Sequence, residues 1–210
     1  MSLSQQLGEG LAAMGLDLPA ASQATLLAYV ALLKKWNRTY NLTAIRDEAE
    51  MVVQHLLDSL SVLPGVQESA LAGRRWADVG SGAGLPGIPL AVARPDLDMT
   101  LIEAVDKKSA FQRQAKIELG LSNITVLNRR VEEVEGGFDA VISRAFAEIA
   151  DFTRLAGYLL APGGRLYAMK GRLPDAELGQ LPPGWVTVSC EPLKVPGLDA
   201  ERHLIVLEKA

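Results

Sequence analysis

Two patterns of hydrophobic and polar positions divide the chain near residue 64. In the first part, apolar residues recur every three or four positions, which predicts amphipathic helices. These helices are expected over residues 3–14, from Ala20 to about Arg38, and from about Glu48 to Leu63. We therefore predict an N-terminal helical region over residues 1–64 that packs on a core formed by residues 65–210.

After Gly73, short apolar runs alternate with helical patterns, which is typical of βαβ units and a parallel sheet. Two final apolar runs have no helix between them, so an antiparallel hairpin is expected at the C-terminus. The predicted fold class is α/β, with a mostly parallel, seven-stranded, Rossmann-like sheet and an N-terminal helical extension. The predicted strands cover residues 75–79, 99–103, 124–128, 139–143, 165–169, 185–190 and 203–207, and the core helices cover 86–93, 106–119 and 148–160.

Composition restricts the class of protein further. Hydrophobic residues make up 49% and charged residues 22% of the chain, as in soluble globular proteins. No apolar run is long enough for a membrane span, and the N-terminus lacks the pattern of a signal peptide. The single cysteine, Cys190, cannot form an internal disulfide, which fits a reducing cytoplasm. Because the formal net charge is −4, any nucleic-acid binding must come from a local basic patch or from a partner that offers other points of contact.

The most informative segment is Asp78–Pro89, which has the sequence DVGSGAGLPGIP. Four of its residues are glycines, and they lie between a predicted strand and a predicted helix. Glycines allow positive φ angles and let a ligand approach the main chain closely. The start of a helix adds unpaired N–H groups. The segment therefore predicts a nucleotide-type pocket.

Two kinds of nucleotide cofactor fit this segment. Residues 82–87 match the dinucleotide fingerprint G-x-G-x-x-G, and Glu103 at the end of the next strand suits a ribose hydroxyl. Both features also suit S-adenosylmethionine. Three details favour the latter: the G-x-G-x-G spacing directly after Asp78, the prolines Pro86 and Pro89, and the closing hairpin. An acidic loop also suits a sulfonium and an amino group better than phosphates.

Several further motifs along the chain are colinear with those of one family. From about residue 25 to the end, the sequence resembles ribosomal RNA small subunit methyltransferase G, also called glucose-inhibited division protein B. The motifs that carry the resemblance are YNLTAIRD at 40–47, HLLDS at 55–59, the glycine segment, RVEE at 130–133, SRAFA at 143–147, MKG at 169–171 and ERHL at 201–204.

This resemblance implies a class I S-adenosylmethionine-dependent methyltransferase that methylates N7 of one guanine in 16S rRNA. The product of the cofactor is S-adenosylhomocysteine. By resemblance, Glu103 binds the ribose, Val131 and Glu132 border the adenine, and Arg144 faces the reaction centre as the catalytic candidate. The expected cofactor-binding residues are Asp78, Gly80, Gly82, Gly84, Leu85, Glu103, Val131, Glu132 and Arg144.

The partner implied by the resemblance is 16S rRNA or the 30S subunit, and neither a metal, a membrane nor a second subunit is expected. Cations near the predicted strand ends and in the helical region are the candidates for phosphate contacts. These candidates are Arg46, Arg129, Arg130, Lys170 and Arg172. Solubilising surface charge is the alternative interpretation.

Other interpretations stay open for individual residues and for the whole chain. A structural salt bridge is an equally good account of Arg144. His55, on an apolar helix face, is expected to be a buried, hydrogen-bonded histidine. The alternatives for the protein are a methyltransferase for small molecules or proteins, an NAD(P)-binding oxidoreductase, and a non-enzymatic ribosome assembly factor.

Overall fold

The computed structural model describes residues 1–66, 74–144, 146, 148–173 and 175–210. Ala145 and Ala147, which belong to one of the family motifs, lie outside the described residues. The N-terminal part is helical, as predicted. Its elements are α1 (Leu3–Ala13), α2 (Ala20–Tyr40), α3 (Glu48–Met51), a π-helical segment (Val52–Leu57), α4 (Asp58–Leu60) and a 3₁₀ turn (Leu63–Gly65).

The π-helical segment interrupts the third predicted helix. The Asp58 N–H bonds to the carbonyls of Val53 and His55. In a regular α-helix its acceptor would be the carbonyl of Gln54, four residues back. Such wide turns are common at functional sites.

The remaining elements alternate as the sequence predicts. The strands are β1 (Arg75–Val79), β2 (Asp98–Ile102), β3 (Ile124–Leu127), β4 (Phe138–Ser143), β5 (Leu160–Lys170), β6 (Trp185–Pro192) and β7 (His203–Lys209). The helices between them are α5 (Gly87–Ala93), α6 (Asp106–Glu118), α7 (Ile149–Ala156) and α8 (Asp175–Leu178), with 3₁₀ turns at Val131–Glu133 and Gly157–Leu159.

The described strands form one sheet in the order β3-β2-β1-β4-β5-β7-β6. The first five strands pair in parallel, whereas β7 is antiparallel to both β5 and β6. This confirms the predicted fold class and the C-terminal hairpin. The strand order reverses between β1 and β4, and in open α/β sheets ligands bind at the carboxyl ends of strands at such a reversal. The Ser143 hydroxyl donates to the Val79 carbonyl at 2.8 Å and ties these two strand ends together.

Alternating side chains of the strands enter two different hydrophobic clusters, as the two-residue period of a strand requires. On one face, Trp76 of β1 packs in the same cluster as α1, α2, α5 and α6. On the other face, Ala77 and Val79 pack with α7, which contributes Ile149 and Phe152. The N-terminal helices thus share a core with one face of the sheet, while a boundary at residue 64 stays a prediction. In the described residues, no helix is long and apolar enough to cross a membrane.

The main difference from the predicted elements is the length of β5. The strand begins at Leu160, although the sequence predicts a start at residue 165. Its first part contains Pro162, Gly163 and Gly164, which are unfavourable strand residues. The pairing with β4 shifts register here, since Phe138 faces Leu160 but Ala140 faces Arg165. A bulge of this kind lets the strand continue through residues that do not resemble one.

Two glycines of α1 give opposite expectations when each is replaced by alanine. A Cβ at Gly10 would lie 2.4 Å from Cδ1 of Leu57, which is buried, whereas a Cβ at Gly8 would have 3.7 Å of space. Gly8→Ala should raise the free energy of unfolding by up to about 1 kcal/mol, because alanine favours helices. Gly10→Ala should be less stable than Gly8→Ala by roughly 1–3 kcal/mol through overpacking. Urea unfolding of both variants tests this, and equal stabilities would contradict it.

Candidate functional site

The glycine-rich loop connects β1 to α5 along a path that few other residues could follow. Gly80, Gly82 and Gly84 have φ angles of 69°, 58° and 84°, which are strained for residues with a side chain. At Gly87 the restriction is space, because a Cβ there would lie 2.8 Å from Oδ2 of Asp78. The glycines therefore serve two purposes, the turn of the loop and its close contact with β1.

Two buried carboxylates bind backbone N–H groups of the loop and its neighbours. Glu103 Oε2 accepts the Gly82 N–H, and its Oε1 accepts the Val105 N–H, both at 2.8 Å. Asp78 Oδ2 accepts the Gly87 N–H at 2.8 Å. Glu103 is only 6% exposed. Each carboxylate oxygen can accept more than one bond, so Glu103 keeps acceptor capacity for a ligand.

Two helices hold the loop from the side of the core. The Tyr29 hydroxyl, on α2, donates to the Ala83 carbonyl at 2.8 Å. Gln112, on α6, donates through Nε2 to Ser81 Oγ and to the Gly82 carbonyl, both at 2.8 Å. Both side chains are fully buried. The N-terminal helical region therefore helps to fix the loop.

Asp78 lies beneath the loop and is inaccessible to solvent. Burial raises the pKa of its carboxyl from 3.8 to about 7, against the opposing effects of the Gly87 N–H and the Arg144 charge. Its Oδ1 has no hydrogen-bond partner in the described part of the protein. The structure thus gives Asp78 a supporting position, and its direct contact with a cofactor stays a prediction.

Three pockets follow one another along the carboxyl ends of the strands. We call them the inner, middle and outer pockets, with volumes of about 220, 170 and 420 Å³. Gly80 borders both the inner and the middle pocket, and His55 and Arg144 border both the middle and the outer pocket. These shared residues place the three pockets side by side, and we call the row that they form the cleft. A larger cavity of about 680 Å³ lies between the end of α1 and β6, and its described lining includes no predicted site residue.

Most of the predicted cofactor residues that follow strands line the inner pocket. Val131 and Glu132, in the 3₁₀ turn Val131–Glu133, form one wall, and the Tyr158 hydroxyl donates to the Val131 carbonyl. Phe146, which packs against Phe152 with ring centroids 4.9 Å apart, forms another. The lining residues are Val79, Gly80, Ile102, Glu103, Ala104, Arg129, Arg130, Val131, Glu132 and Phe146.

The middle pocket lies over the glycine loop and receives side chains from the helical region. Thr43 and His55 come from that region, Lys108 from α6 and Arg144 from the end of β4. The rest of the lining is the loop itself: Gly80, Ser81, Gly82, Ala83 and Leu85, with Leu42. Gly84 is not part of this lining. A Cβ on Gly84 would lie 2.3 Å from Ile88 Cδ1, so its place is in the packing of the loop on α5.

His55 is buried and hydrogen-bonded, as the sequence predicts. Its Nδ1 lies 3.1 Å from the Gln54 carbonyl and its Nε2 lies 2.9 Å from Thr43 Oγ1. Because a carbonyl can only accept, Nδ1 carries the proton and Nε2 accepts from the Thr43 hydroxyl. Burial, and then the charge of Arg144, lower the pKa of His55 from 6.5 to about 4. The imidazole is therefore neutral at pH 7.

The outer pocket contains a buried carboxylate between two arginines. Asp58 is 1% exposed. Its Oδ2 accepts from Arg144 Nη1 at 3.0 Å and its Oδ1 accepts from Arg202 Nε at 2.8 Å. Arg144 Nη1 also donates to the Gln54 carbonyl at 3.1 Å. The salt bridge that the sequence left open for Arg144 is present, and the residue still borders the cleft.

The predicted RNA-binding residues fall into separate groups. Lys170 lines the outer pocket and is paired with Glu177 at 3.0 Å. Arg129 and Arg130 are exposed at the inner pocket, at the other end of the cleft. The two remaining residues, Arg46 and Arg172, are exposed and line none of the three pockets; Arg46 donates to Asn41 Oδ1 at 2.8 Å.

Sequence reasoning assigned no role to four residues that build the cleft: Asp58, Arg202, Tyr29 and Gln112. Asp58 and Arg202 occur in family motifs, and a signal for Asp58 was available. It is a lone acid among apolar residues in HLLDSL, and a buried carboxylate needs cationic partners. Tyr29 and Gln112 carry no such signal, because both fit an ordinary amphipathic helix.

The sheet order, the glycine loop and the acidic residue after β2 define the class I S-adenosylmethionine-dependent methyltransferase fold. A solved structure supports this assignment. It is 1,6-didemethyltoxoflavin-N1-methyltransferase of Burkholderia thailandensis, with bound S-adenosylhomocysteine, which superposes with a TM-score of 0.61 at 13% identity. The alignment covers 87% of this chain and 89% of that chain. At this identity the likeness concerns the fold alone.

Comparison of the sequence with known proteins identifies the family within this fold class. The model of the family described as rRNA small subunit methyltransferase G matches residues 22–205. A protein named ribosomal RNA small subunit methyltransferase G from Aromatoleum aromaticum is 58% identical, covering 97% of both chains. One of the same name from Neisseria meningitidis serogroup C is 53% identical over the full length of both. The chain belongs to the rRNA small subunit methyltransferase G family.

The lowered pKa of His55 predicts a pH-dependent contribution to stability. Between pH about 4 and 6.5 the unfolded chain binds the proton more readily than the folded one, so this contribution is complete above pH 6.5 and is lost as the pH falls. The slope is at most about 1.4 kcal/mol per pH unit. Relative to His55→Gln, the wild-type protein should lose stability over this range, as measured by urea unfolding.

Asp78 has the opposite effect on the pH dependence of stability, and this effect cancels when the wild-type protein is compared with His55→Gln. The pKa of Asp78 is raised, so its contribution to stability is lost as the pH rises from 3.8 to about 7. Both proteins carry Asp78, and the difference between them therefore isolates His55. A difference that stays constant from pH about 7 to 4.5 would contradict the buried, neutral state of His55.

Proposed function

We propose that this protein transfers a methyl group from S-adenosylmethionine to N7 of a guanine in 16S rRNA. The observation that carries the proposal is the row of three adjoining pockets at the reversal of strand order. Its inner end combines a glycine loop with the carboxylate of Glu103, and its outer end has two arginines. Family membership supports the reaction class, because the relatives are named as methyltransferases of small-subunit rRNA.

The pockets suit the parts of the cofactor. In the inner pocket, Glu103 would accept from the ribose hydroxyls, and Val131 and Glu132 would border the adenine. The loop residues Gly80 and Leu85 would line the methionine portion in the middle pocket. When bound, S-adenosylmethionine supplies an electrophilic methyl group on a sulfonium. The buried carboxylate of Glu103 also suits the positive charge of that group.

Arg144, like His55, borders both the middle pocket on the cofactor side and the outer pocket on the acceptor side of the cleft. Asp58 and the Gln54 carbonyl engage its Nη1 only. A guanidinium has five N–H donors, so further donors of Arg144 can orient the guanine or the cofactor carboxylate. We assign Arg144 this orienting role.

The proposed chemistry needs little from acids or bases. N7 of guanine carries a free lone pair, so no proton has to be removed before it attacks. His55, the titratable histidine at the junction of the middle and outer pockets, already accepts from Thr43 through Nε2 and is neutral. Catalysis would rest on aligning the two reactants and excluding water, which can supply several kcal/mol.

A dinucleotide cofactor fits the site less well. Its pyrophosphate needs free N–H groups where the glycine loop meets the following helix. Here the Gly87 N–H is bonded to Asp78, and the Gly82 N–H is bonded to Glu103. The NAD(P)-binding alternative is therefore disfavoured by the hydrogen bonds of the loop itself.

The proposal also covers the RNA contacts, the oligomeric state and the cellular compartment. The RNA would reach the outer pocket, with contacts from Lys170, Arg172 and Arg46, and from Arg129 and Arg130 beyond the inner pocket. The protein would act as a monomer in the cytoplasm, where ribosomal subunits are assembled. An assembly factor without activity is the remaining alternative, and it predicts cofactor binding without methyl transfer.

Methyl transfer can be tested directly. Purified protein should bind S-adenosylmethionine but not NAD(P)H in isothermal titration. With labelled cofactor and 30S subunits from a strain lacking the protein, we expect one labelled guanine, with the methyl group at N7 when the base is mapped. Label on another base, or on metabolites or peptides instead, would contradict the proposed substrate.

A substitution in the inner pocket tests the placement of the cofactor. Glu103→Gln keeps the size of the side chain but turns one acceptor oxygen into a donor that faces a backbone N–H. We expect the Kd for S-adenosylmethionine to rise about tenfold or more. Glu133→Gln removes the same charge from an exposed residue that does not line the pocket, and its Kd should stay within about threefold of the wild-type value. Equal effects of both variants would argue against the placement.

A further inference from the structure

Asp58 joins three segments that are far apart in sequence. Asp58 begins α4, Arg144 follows β4, and Arg202 precedes β7, so the pairs are separated by 86 and 144 residues. The carboxylate lies between the two guanidinium groups and uses a different oxygen for each. The spacing and orientation of the two arginines are therefore set by one buried side chain from the helical region.

The buried ion pairs of Asp58 contribute little to the stability of the fold, which points to a role beyond folding. A carboxylate that is 1% exposed loses its hydration, and its ion pairs commonly do little more than offset that loss. All three residues line the outer pocket, but the two arginine side chains are each 26% exposed, whereas Asp58 is 1% exposed. The cations are therefore much more accessible to a ligand than the anion that orients them.

Both arginines keep donors for a ligand. Within the described residues, the bonds of Arg144 use only Nη1, and those of Arg202 use Nε to Asp58 and Nη1 to the Glu201 carbonyl. Neither Nη2 group has a partner among those bonds. Two guanidinium groups around one carboxylate leave one net positive charge at this wall. Guanidinium groups bind phosphate oxygens through paired N–H donors.

We propose that Asp58 is a positioning residue which sets Arg144 and Arg202 as a cradle for one phosphodiester group of the RNA. The inference rests on the proposed function and adds the group that the outer pocket recognises. The ligand of the pair is a phosphodiester and not the carboxylate of the cofactor, because Arg202 lines the outer pocket and not the middle one. Arg144 lines both pockets and bonds to Asp58 and Gln54 through Nη1 only, so its other donors can serve the cradle and its orienting role. The volume of about 420 Å³ also leaves room for a nucleotide beside the cradle.

Asp58→Asn separates this proposal from simple charge attraction. The variant removes an anion and no cation, so attraction by net charge alone predicts rRNA binding as tight as wild type or tighter. A positioning role predicts the opposite, because the amide N–H₂ would face a guanidinium, and two donors cannot bond. We expect the Kd for 16S rRNA to rise about tenfold and the magnitude of its salt dependence, d log Kd/d log[salt], to fall by about 0.7–1.

Arg202→Gln is the second variant. It removes a cation directly from the outer pocket and should likewise weaken rRNA binding and reduce the salt dependence by about 0.7–1. Glu208→Gln is the matched control, because Glu208 pairs with Arg165 at 2.9 Å at the other end of β7. It also deprives an arginine of its carboxylate, yet it should leave the rRNA affinity and the salt dependence unchanged.

The measurements are filter binding of 16S rRNA at several salt concentrations, the Kd for S-adenosylmethionine, and methyl transfer to 30S subunits. A cofactor Kd within about threefold of the wild-type value shows that a variant is folded. If Asp58→Asn loses cofactor binding, Arg202→Gln still tests whether the RNA binds at the cradle, because Arg202 lines the outer pocket only. Wild-type rRNA affinity and salt dependence in a folded Asp58→Asn or in Arg202→Gln would overturn the cradle. Failure of the wild-type protein to methylate any RNA would instead overturn the proposed function, whereas the binding data would still test the cradle.

Discussion

The polar backbone of the glycine loop needs hydrogen-bond partners, and the site depends on where they come from. The loop satisfies part of this need itself, because the Gly84 and Leu85 N–H groups bond to the Ser81 carbonyl. Leaving its other polar groups buried and unpaired would be costly. The partners of these groups come from behind the loop. Asp78 and Glu103 accept its N–H groups, while Tyr29 and Gln112 donate to its carbonyls.

The electrostatics of the cleft change along its length. At the inner end, Glu103 and Glu132 lie beside Arg129 and Arg130, so neither sign of charge dominates. At the outer end, Arg144 and Arg202 outnumber Asp58, and an anionic RNA would be attracted there. His55 stands between the two ends without charge, because its burial and the nearby Arg144 disfavour protonation.

Most of the fold could be predicted from the sequence, since apolar periodicity reports which face of a helix or strand is buried. The order of the elements and the C-terminal hairpin followed from it, and so did the placement of Glu103, Val131 and Arg144 at strand ends. What could not be predicted depends on contacts across long sequence separations. Hydrophobic periodicity does not indicate such contacts. Examples are the ion pairs of Asp58 with Arg144 and Arg202 and the hydrogen bond from Tyr29 to the loop. The early part of β5 was missed because a bulge let proline and glycine enter a strand.

The wide turn at Val52–Leu57 limits how the length of the helical region can vary. Because the Asp58 N–H bonds five residues back to Val53, the Gln54 carbonyl is available to accept from both Arg144 and His55. Deleting one residue from this turn would restore α-helical bonding and draw that carbonyl back into the helix. It would also rotate Asp58 by about 100° away from the arginines. Insertions and deletions should therefore be tolerated in the loops on either side of this segment but not within it.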